Sequence, residues 1–126
     1  VSSFYQKNTA EIRPSRRLVS LAEKELKSRK IPYFKEKLIS SPTMLGETME
    51  LINQWSKKGF FGVDMESAST LAIANHFNVD SMSMLYLFDL IIKGQTVLDK
   101  NQDYQKIREK RNKQILDIAF EIIKKY

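Results

Sequence analysis

The hydrophobic positions of this chain follow a helical period in some stretches and a strand period in others. Residues 14–30 predict a first helix, because their apolar residues recur three or four positions apart and Pro32 forbids its continuation. Those apolar positions are Leu18, Leu21, Ala22 and Leu26. Residues 32–40 alternate in part and then become apolar, which predicts a strand that ends at the Ser-Ser-Pro turn.

The same pattern continues through the second part of the chain. Residues 46–58 predict an amphipathic helix with Gly59 as its C-terminal cap, and residues 60–63 predict a short strand. The small and apolar residues 65–78 suit a buried helix. The nearly continuous apolar run at 81–92 is typical of a central strand covered on both faces. Residues 103–125 predict a long helix with one apolar face, made of Ile107, Ile115, Ile118, Ala119 and Ile122.

Strands that alternate with helices predict an α/β fold, with helices layered on both sides of a mostly parallel central sheet. The chain has 126 residues, of which 42% are hydrophobic, and this is enough for one compact core. We therefore expect a single domain over residues 1–126.

Charge and composition exclude several classes of function. The net charge of +6 comes from basic residues interleaved with acids, which is typical of solvated helix faces, so no nucleic-acid partner is predicted. The chain has no cysteine, which excludes disulfides and thiolate metal sites and favours a cytoplasmic location. No apolar run is long enough to cross a bilayer, so no membrane partner is expected. No metal site is predicted.

Three acids interrupt this pattern where strands are predicted to end. Asp64 and Glu66 follow the strand at 60–63, and Asp89 interrupts the apolar run. Ligands of parallel α/β folds gather at the carboxyl ends of strands, so the three acids are expected to share one pocket. The alternative is that each caps a helix, and for Asp64 alone capping is favoured. The apolar neighbours of Asp89 would desolvate it, which makes it a candidate proton donor.

The stretches VDMES, HFNV, an apolar run with one Asp, and IKGQT resemble the C-terminal half of the nucleoside phosphorylase/nucleosidase superfamily. Members of that superfamily act on purine nucleosides, uridine or methylthioadenosine. The resemblance runs from about residue 14 to the last helix. Its most specific part is the pair Met65 and Glu66 with Asp89 placed 23 positions after Glu66 (89 minus 66), a spacing similar to that of bacterial hexameric purine nucleoside phosphorylases.

The resemblance implies a role for each candidate residue. Glu66 would accept hydrogen bonds from the ribose hydroxyls, Met65 would pack on the sugar, and Asp64 belongs to the same predicted substrate-binding set. Met44 falls where the family places an aromatic ring against the base, although ordinary core packing remains equally open for it. Asp89 matches the general acid of the family. Phosphate would be the co-substrate, with no further cofactor, and the assembly would be a homo-oligomer, either a dimer or a hexamer.

The function predicted from the resemblance is that of a purine nucleoside phosphorylase, with two alternatives. One is a nucleosidase that uses water, although the KGQT segment is more similar to the phosphorylases. The other is a catalytically silent domain that binds a nucleoside or a protein partner; it is favoured by the sequence Phe88-Asp89-Leu90, since the family has Ser-Asp followed by a polar residue. Lys100 is the candidate for the basic residue that assists the acid, and His76 is expected at the surface.

Overall fold

The computed structural model describes residues 11–87, 89–93 and 102–126, with side chains from residue 105 onward in the last range. Four α-helices, two strands and two short 3-10 helices lie in these ranges. In chain order they are α1 (Arg16–Ser28), β1 (Lys37–Ser40), a 3-10 turn (Met44–Gly46), α2 (Met49–Lys57), β2 (Phe60–Asp64), α3 (Ser67–His76), a second 3-10 turn (Ile91–Lys93) and α4 (Gln102–Lys125).

The two strands form a parallel pair, as the alternation of strands and helices predicts. Leu38 pairs with Gly62 and Ser40 with Asp64, so β1 and β2 reach their carboxyl ends side by side. α2 packs on β2 and α3 packs on β1. This α/β arrangement around a parallel sheet confirms the predicted fold class.

The chain divides into two compact units. The first combines the described residues up to 19 with residues 33–83, and it holds the sheet, α2 and α3. The second combines residues 20–32 with the described residues from 84 onward, so it holds most of α1 and all of α4. The single domain expected over residues 1–126 remains a prediction.

Each unit has its own buried side chains among the described residues. Leu71 and Ala72 of α3 are buried in the first unit. In the second unit the buried apolar residues are Ala22, Ile118 and Ile122. The predicted apolar face of α4 is therefore buried near its C-terminal end, whereas Ile107, two turns and more away, is exposed.

Three helices are followed by a residue in the left-handed backbone region. Gly59, after α2, has φ +82°, which confirms its predicted capping role. Lys30 after α1 and Asn78 after α3 have φ +55° and +54°. At the ends of α1 and α3, the residue after the left-handed one closes the helix with a backbone hydrogen bond. The N–H of Ile31 donates to the carbonyl of Leu26 at 2.9 Å, and the N–H of Val79 donates to the carbonyl of Ala74 at 2.8 Å.

The strand predicted at 81–92 is wrong in this structure. Residues 81–87 and 89–90 have no regular structure, and residues 91–93 form the second 3-10 turn, while Phe88 lies outside the described residues. An apolar run indicates burial on both faces, but a strand also needs a neighbouring strand to receive its backbone hydrogen bonds. The described sheet contains only β1 and β2, paired with each other.

Candidate functional site

The candidate site of the first unit begins where β1 and β2 end together. The pairing of Ser40 with Asp64 brings the segment after β1 beside the segment that joins β2 to α3. Asp64 is the last residue of β2, and Met65 and Glu66 precede the first turn of α3. Three of the predicted site residues are thus consecutive at the carboxyl end of the sheet.

Asp64 holds the start of α3. One carboxylate oxygen, Oδ2, accepts a hydrogen bond from the N–H of Ser67 at 3.2 Å. The other, Oδ1, accepts one from the hydroxyl of Ser40 at 2.5 Å. The Ser40 hydroxyl in turn accepts from the N–H of Ala68 at 2.9 Å. The capping role favoured for Asp64 is confirmed, and its membership in the substrate-binding set stays a prediction, because each oxygen can still accept a further hydrogen bond.

The segment after β1 is tied to the same strand end. The N–H of Ser41 donates to the Asp64 carbonyl at 2.7 Å, and the buried Ser41 hydroxyl donates to the Thr43 carbonyl at 2.9 Å. The Thr43 hydroxyl then accepts from the N–H of Leu45 at 3.1 Å and caps the 3-10 turn. Met44 opens this turn with 56% of its surface exposed, so ordinary core packing does not describe it.

Met65 and Glu66 are both exposed, Met65 at 40%. The backbone carbonyl of Glu66 accepts from the N–H of Thr70 at 3.0 Å, so its main chain belongs to the first turn of α3. Its carboxylate makes no cap bond to the helix, and within the described part of the chain it has no hydrogen-bond or salt-bridge partner. An apolar thioether and an unpaired carboxylate are therefore presented next to each other.

Asp89 lies in the second unit, half-buried, just before the second 3-10 turn. Lys100, the candidate assisting base, lies outside the described residues. His76 ends α3 with an exposed side chain, as expected, and its ring meets that of Phe77 edge-on at a centroid distance of 4.9 Å.

Sequence reasoning missed Ser40, which joins the ends of both strands to α3. Its only signal in the sequence is that it is the last residue of a predicted strand, and the register that pairs it with Asp64 is not visible there. Over the described ranges, no cluster of three or more His, Asp or Glu side chains could hold a metal ion. None of the helices in those ranges is both long and apolar enough to span a bilayer.

The sequence profile of the phosphorylase superfamily matches residues 4–123. This chain therefore belongs to the phosphorylase superfamily, in agreement with its parallel α/β sheet. A curated relative, the DeoD-type purine nucleoside phosphorylase of Clostridium novyi (strain NT), is 25% identical over 85 residues. Those residues are 68% of this chain and 34% of the relative, so the chain spans about a third of the relative's length. No solved structure matches the chain.

Proposed function

We propose that this chain carries the nucleoside-binding residues of a purine nucleoside phosphorylase, which uses phosphate to cleave the N-glycosidic bond. Membership of the superfamily and the name of the curated relative support the class of reaction. The observation that carries the proposal is the turn after β2, which is anchored through Asp64 while Met65 and Glu66 remain exposed.

In this proposal Glu66 binds the ribose. Its two carboxylate oxygens match the two neighbouring hydroxyls of the sugar, and a charged acceptor makes stronger hydrogen bonds than a neutral one. Its carboxylate has no competing partner among the described residues. Met65 and Met44 supply polarisable apolar surface for the sugar and the base, and Asp64 contributes to the same set mainly by holding the turn.

Asp89 is proposed as the general acid. A phosphate oxygen forms a bond to C1′ of the ribose while the bond between C1′ and the base nitrogen breaks, and the base leaves with that electron pair. Asp89 donates its proton to the imidazole ring of the purine, so the base departs neutral and ribose 1-phosphate remains. A donor aimed at the developing negative charge lowers the barrier, by a factor of about 10² to 10⁴ in rate.

Turnover by the complete gene product tests the reaction. We expect inosine or adenosine with phosphate to release free base and ribose 1-phosphate, separated by chromatography. Asp89→Asn should lower kcat by about 10² to 10⁴. Asp117→Asn, which alters an exposed aspartate of α4, should leave kcat unchanged. If Asp89→Asn turns over normally, Asp89 is not the acid.

A second substitution tests the binding role. Glu66→Gln keeps the shape of the side chain but removes its charge, which weakens hydrogen bonds to the ribose hydroxyls by about 1.5 to 3 kcal/mol. We expect KM for the nucleoside to rise about 10-fold to 100-fold. Glu36→Gln, at an exposed glutamate before β1, is the control. An unchanged KM in Glu66→Gln would remove Glu66 from the site.

The second candidate is a silent domain that binds a nucleoside without cleaving it. The apolar neighbours of Asp89 in the sequence favour this candidate, because the side chains of Phe88 and Leu90 have no hydrogen-bonding group with which to orient the acid. Calorimetric binding of inosine by a protein that releases no base would identify this case. Base release that persists without phosphate and yields free ribose would identify a nucleosidase.

We also propose that the protein assembles as a homo-oligomer, a dimer or a hexamer. Three large apolar residues, each more than half exposed, follow one face of α4 at spacings of four and three: Leu116, Phe120 and Ile123. An exposed apolar stripe of this kind favours association. Light scattering after size exclusion should give a multiple of the chain mass, and Phe120→Glu should lower it; a monomer would contradict the proposal.

A further inference from the structure

We infer that Ser40 is a positioning residue for the proposed nucleoside site, which it serves by fixing the turn that carries Glu66. This inference rests on the proposed function. Ser40 lies at the end of β1, and its hydroxyl bridges the last residue of β2 and the first turn of α3.

The hydroxyl of Ser40 is used as both donor and acceptor. Its proton goes to Oδ1 of Asp64 at 2.5 Å, and its oxygen receives the N–H of Ala68 at 2.9 Å. These partners are 24 and 28 residues away in the sequence. One small side chain therefore joins three elements that local sequence does not bring together.

The bridge encloses Glu66. Asp64, two residues before it, is held by Ser40, and Ser67, directly after it, donates its N–H to Oδ2 of the same aspartate at 3.2 Å. The Glu66 main chain is therefore held on both sides, while its carboxylate remains exposed and unpaired among the described residues. A carboxylate that must accept from two sugar hydroxyls works only when it is held within about 0.5 Å of the productive position.

Removing the hydroxyl breaks both bonds at once. In Ser40→Ala, Oδ1 of Asp64 loses its donor and the Ala68 N–H loses its acceptor, so the turn can move relative to β1. Because a displacement of about 1 Å at a site can cost as much as about 100-fold, we expect KM for the ribonucleoside to rise about tenfold. The rise should depend on the sugar hydroxyls, since Glu66 acts through them.

The test compares two nucleosides on the complete gene product. KM is measured for inosine, and the inhibition constant is measured for 2′,3′-dideoxyinosine, which has no hydroxyls for Glu66 to accept. In Ser40→Ala we expect the first to rise about tenfold and the second to stay near its original value. Ser40→Thr keeps a hydroxyl, so both constants should stay near those of the unsubstituted protein. Ser40→Cys keeps a side chain of similar size with a weaker donor, so its KM for inosine should lie between the values of Ser40→Ala and the unsubstituted protein. It replaces Ser40→Ala in the test if the alanine variant does not fold.

Ser15→Ala is the matched control. The Ser15 hydroxyl also accepts from a first-turn amide, that of Leu18 at 3.4 Å, but it does so at α1. It should lose stability without changing either constant. The inference is overturned if Ser40→Ala raises both constants together, if it changes neither, or if Ser15→Ala reproduces its effect. An unsubstituted protein that neither binds nor cleaves inosine would overturn the proposed function, and this inference with it.

Discussion

The two carboxylates in the turn after β2 differ in their hydrogen bonds. Asp64 uses both oxygens, one toward the Ser40 hydroxyl and one toward the Ser67 N–H. Glu66, two positions later, has an exposed carboxylate with no partner in the described part of the chain. A residue that stabilises the fold and a residue available to a ligand thus lie two positions apart, and their substitutions should separate stability from binding.

Alanine substitutions test this division. Asp64→Ala removes the acceptor of a helix N-terminal amide and should lower the free energy of unfolding by about 1 to 2 kcal/mol. Glu66→Ala should change it by less than about 0.5 kcal/mol, because surface substitutions without partners usually do. Urea unfolding followed by circular dichroism measures both. Equal losses of stability in the two variants would contradict the division.

The helix ends of this chain differ in how well their residues suit a left-handed backbone. Gly59 has φ +82°, and a Cβ built there would contact nothing within 4 Å, so glycine serves only the backbone. Lys30 has a similar left-handed backbone after α1 but carries a Cβ. That conformation costs an ordinary residue about 1 to 2 kcal/mol, whereas glycine adopts it freely.

We therefore expect Lys30→Gly to stabilise the protein. The relief of the left-handed conformation exceeds the extra freedom that glycine gains in the unfolded chain, which leaves a net gain of about 0.5 to 1 kcal/mol. Lys24→Gly, at an exposed position inside the same helix, is the control and should destabilise by about 1 kcal/mol. Thermal unfolding of both variants gives the comparison. A loss of stability in Lys30→Gly would show that its side chain contributes more than its backbone costs.

Over the length of the chain, one buried acid of the second unit links α1 to the end of α4. Glu25 of α1 is buried, with 6% of its surface exposed. It accepts from Lys125 at the end of α4 at 2.5 Å and from Nε of Arg29 at 2.6 Å. The hydrogen bond from Lys125 and then that from Arg29 lower the pKa of Glu25, and they outweigh the opposing effect of burial.

This lowered pKa predicts acid-dependent stability. A glutamate whose folded pKa lies below its ordinary value of 4.5 stabilises the fold fully above that pH. The contribution is lost as the pH falls through the lowered folded pKa, because protonated Glu25 no longer carries the charge that Lys125 and Arg29 require. Chemical unfolding at a series of pH values from about 6 to about 3 should show stability falling over the acidic part of the range.

Glu25→Gln should flatten that dependence and lower stability near neutral pH. Glu121→Gln is the control: the pKa of Glu121 is also lowered, chiefly by the hydrogen bond from Lys124, but that pair is more exposed. Exposed pairs contribute little, so its substitution should leave most of the acid dependence in place. An equally steep acid dependence in Glu25→Gln would assign it to other groups.

The features predicted correctly from the sequence are local ones. Three of the four helices follow from apolar periods within their segments, and α3 follows from its small and apolar residues. The end of α2 follows from Gly59, and the parallel α/β class follows from the order of the elements. The motif around Met65 and Glu66 was enough to identify the superfamily that the profile match confirms. The helix, cap and motif signals each lie within a short stretch of chain, where neighbouring residues determine the pattern, and the fold class needs only the order of such stretches.

Tertiary structure decided the features that depend on distant residues. Within the apolar run at 81–92, residues 81–87 and 89–92 do not form a strand, because a strand needs partners that periodicity does not report. Ser40 became part of the site only through its pairing with Asp64, 24 residues away, and Glu25 became a buried ion-pair centre through Lys125, 100 residues away. Sequence determined which segments could form helices and strands; the hydrogen bonds that select partners across the chain exist only once those segments are packed.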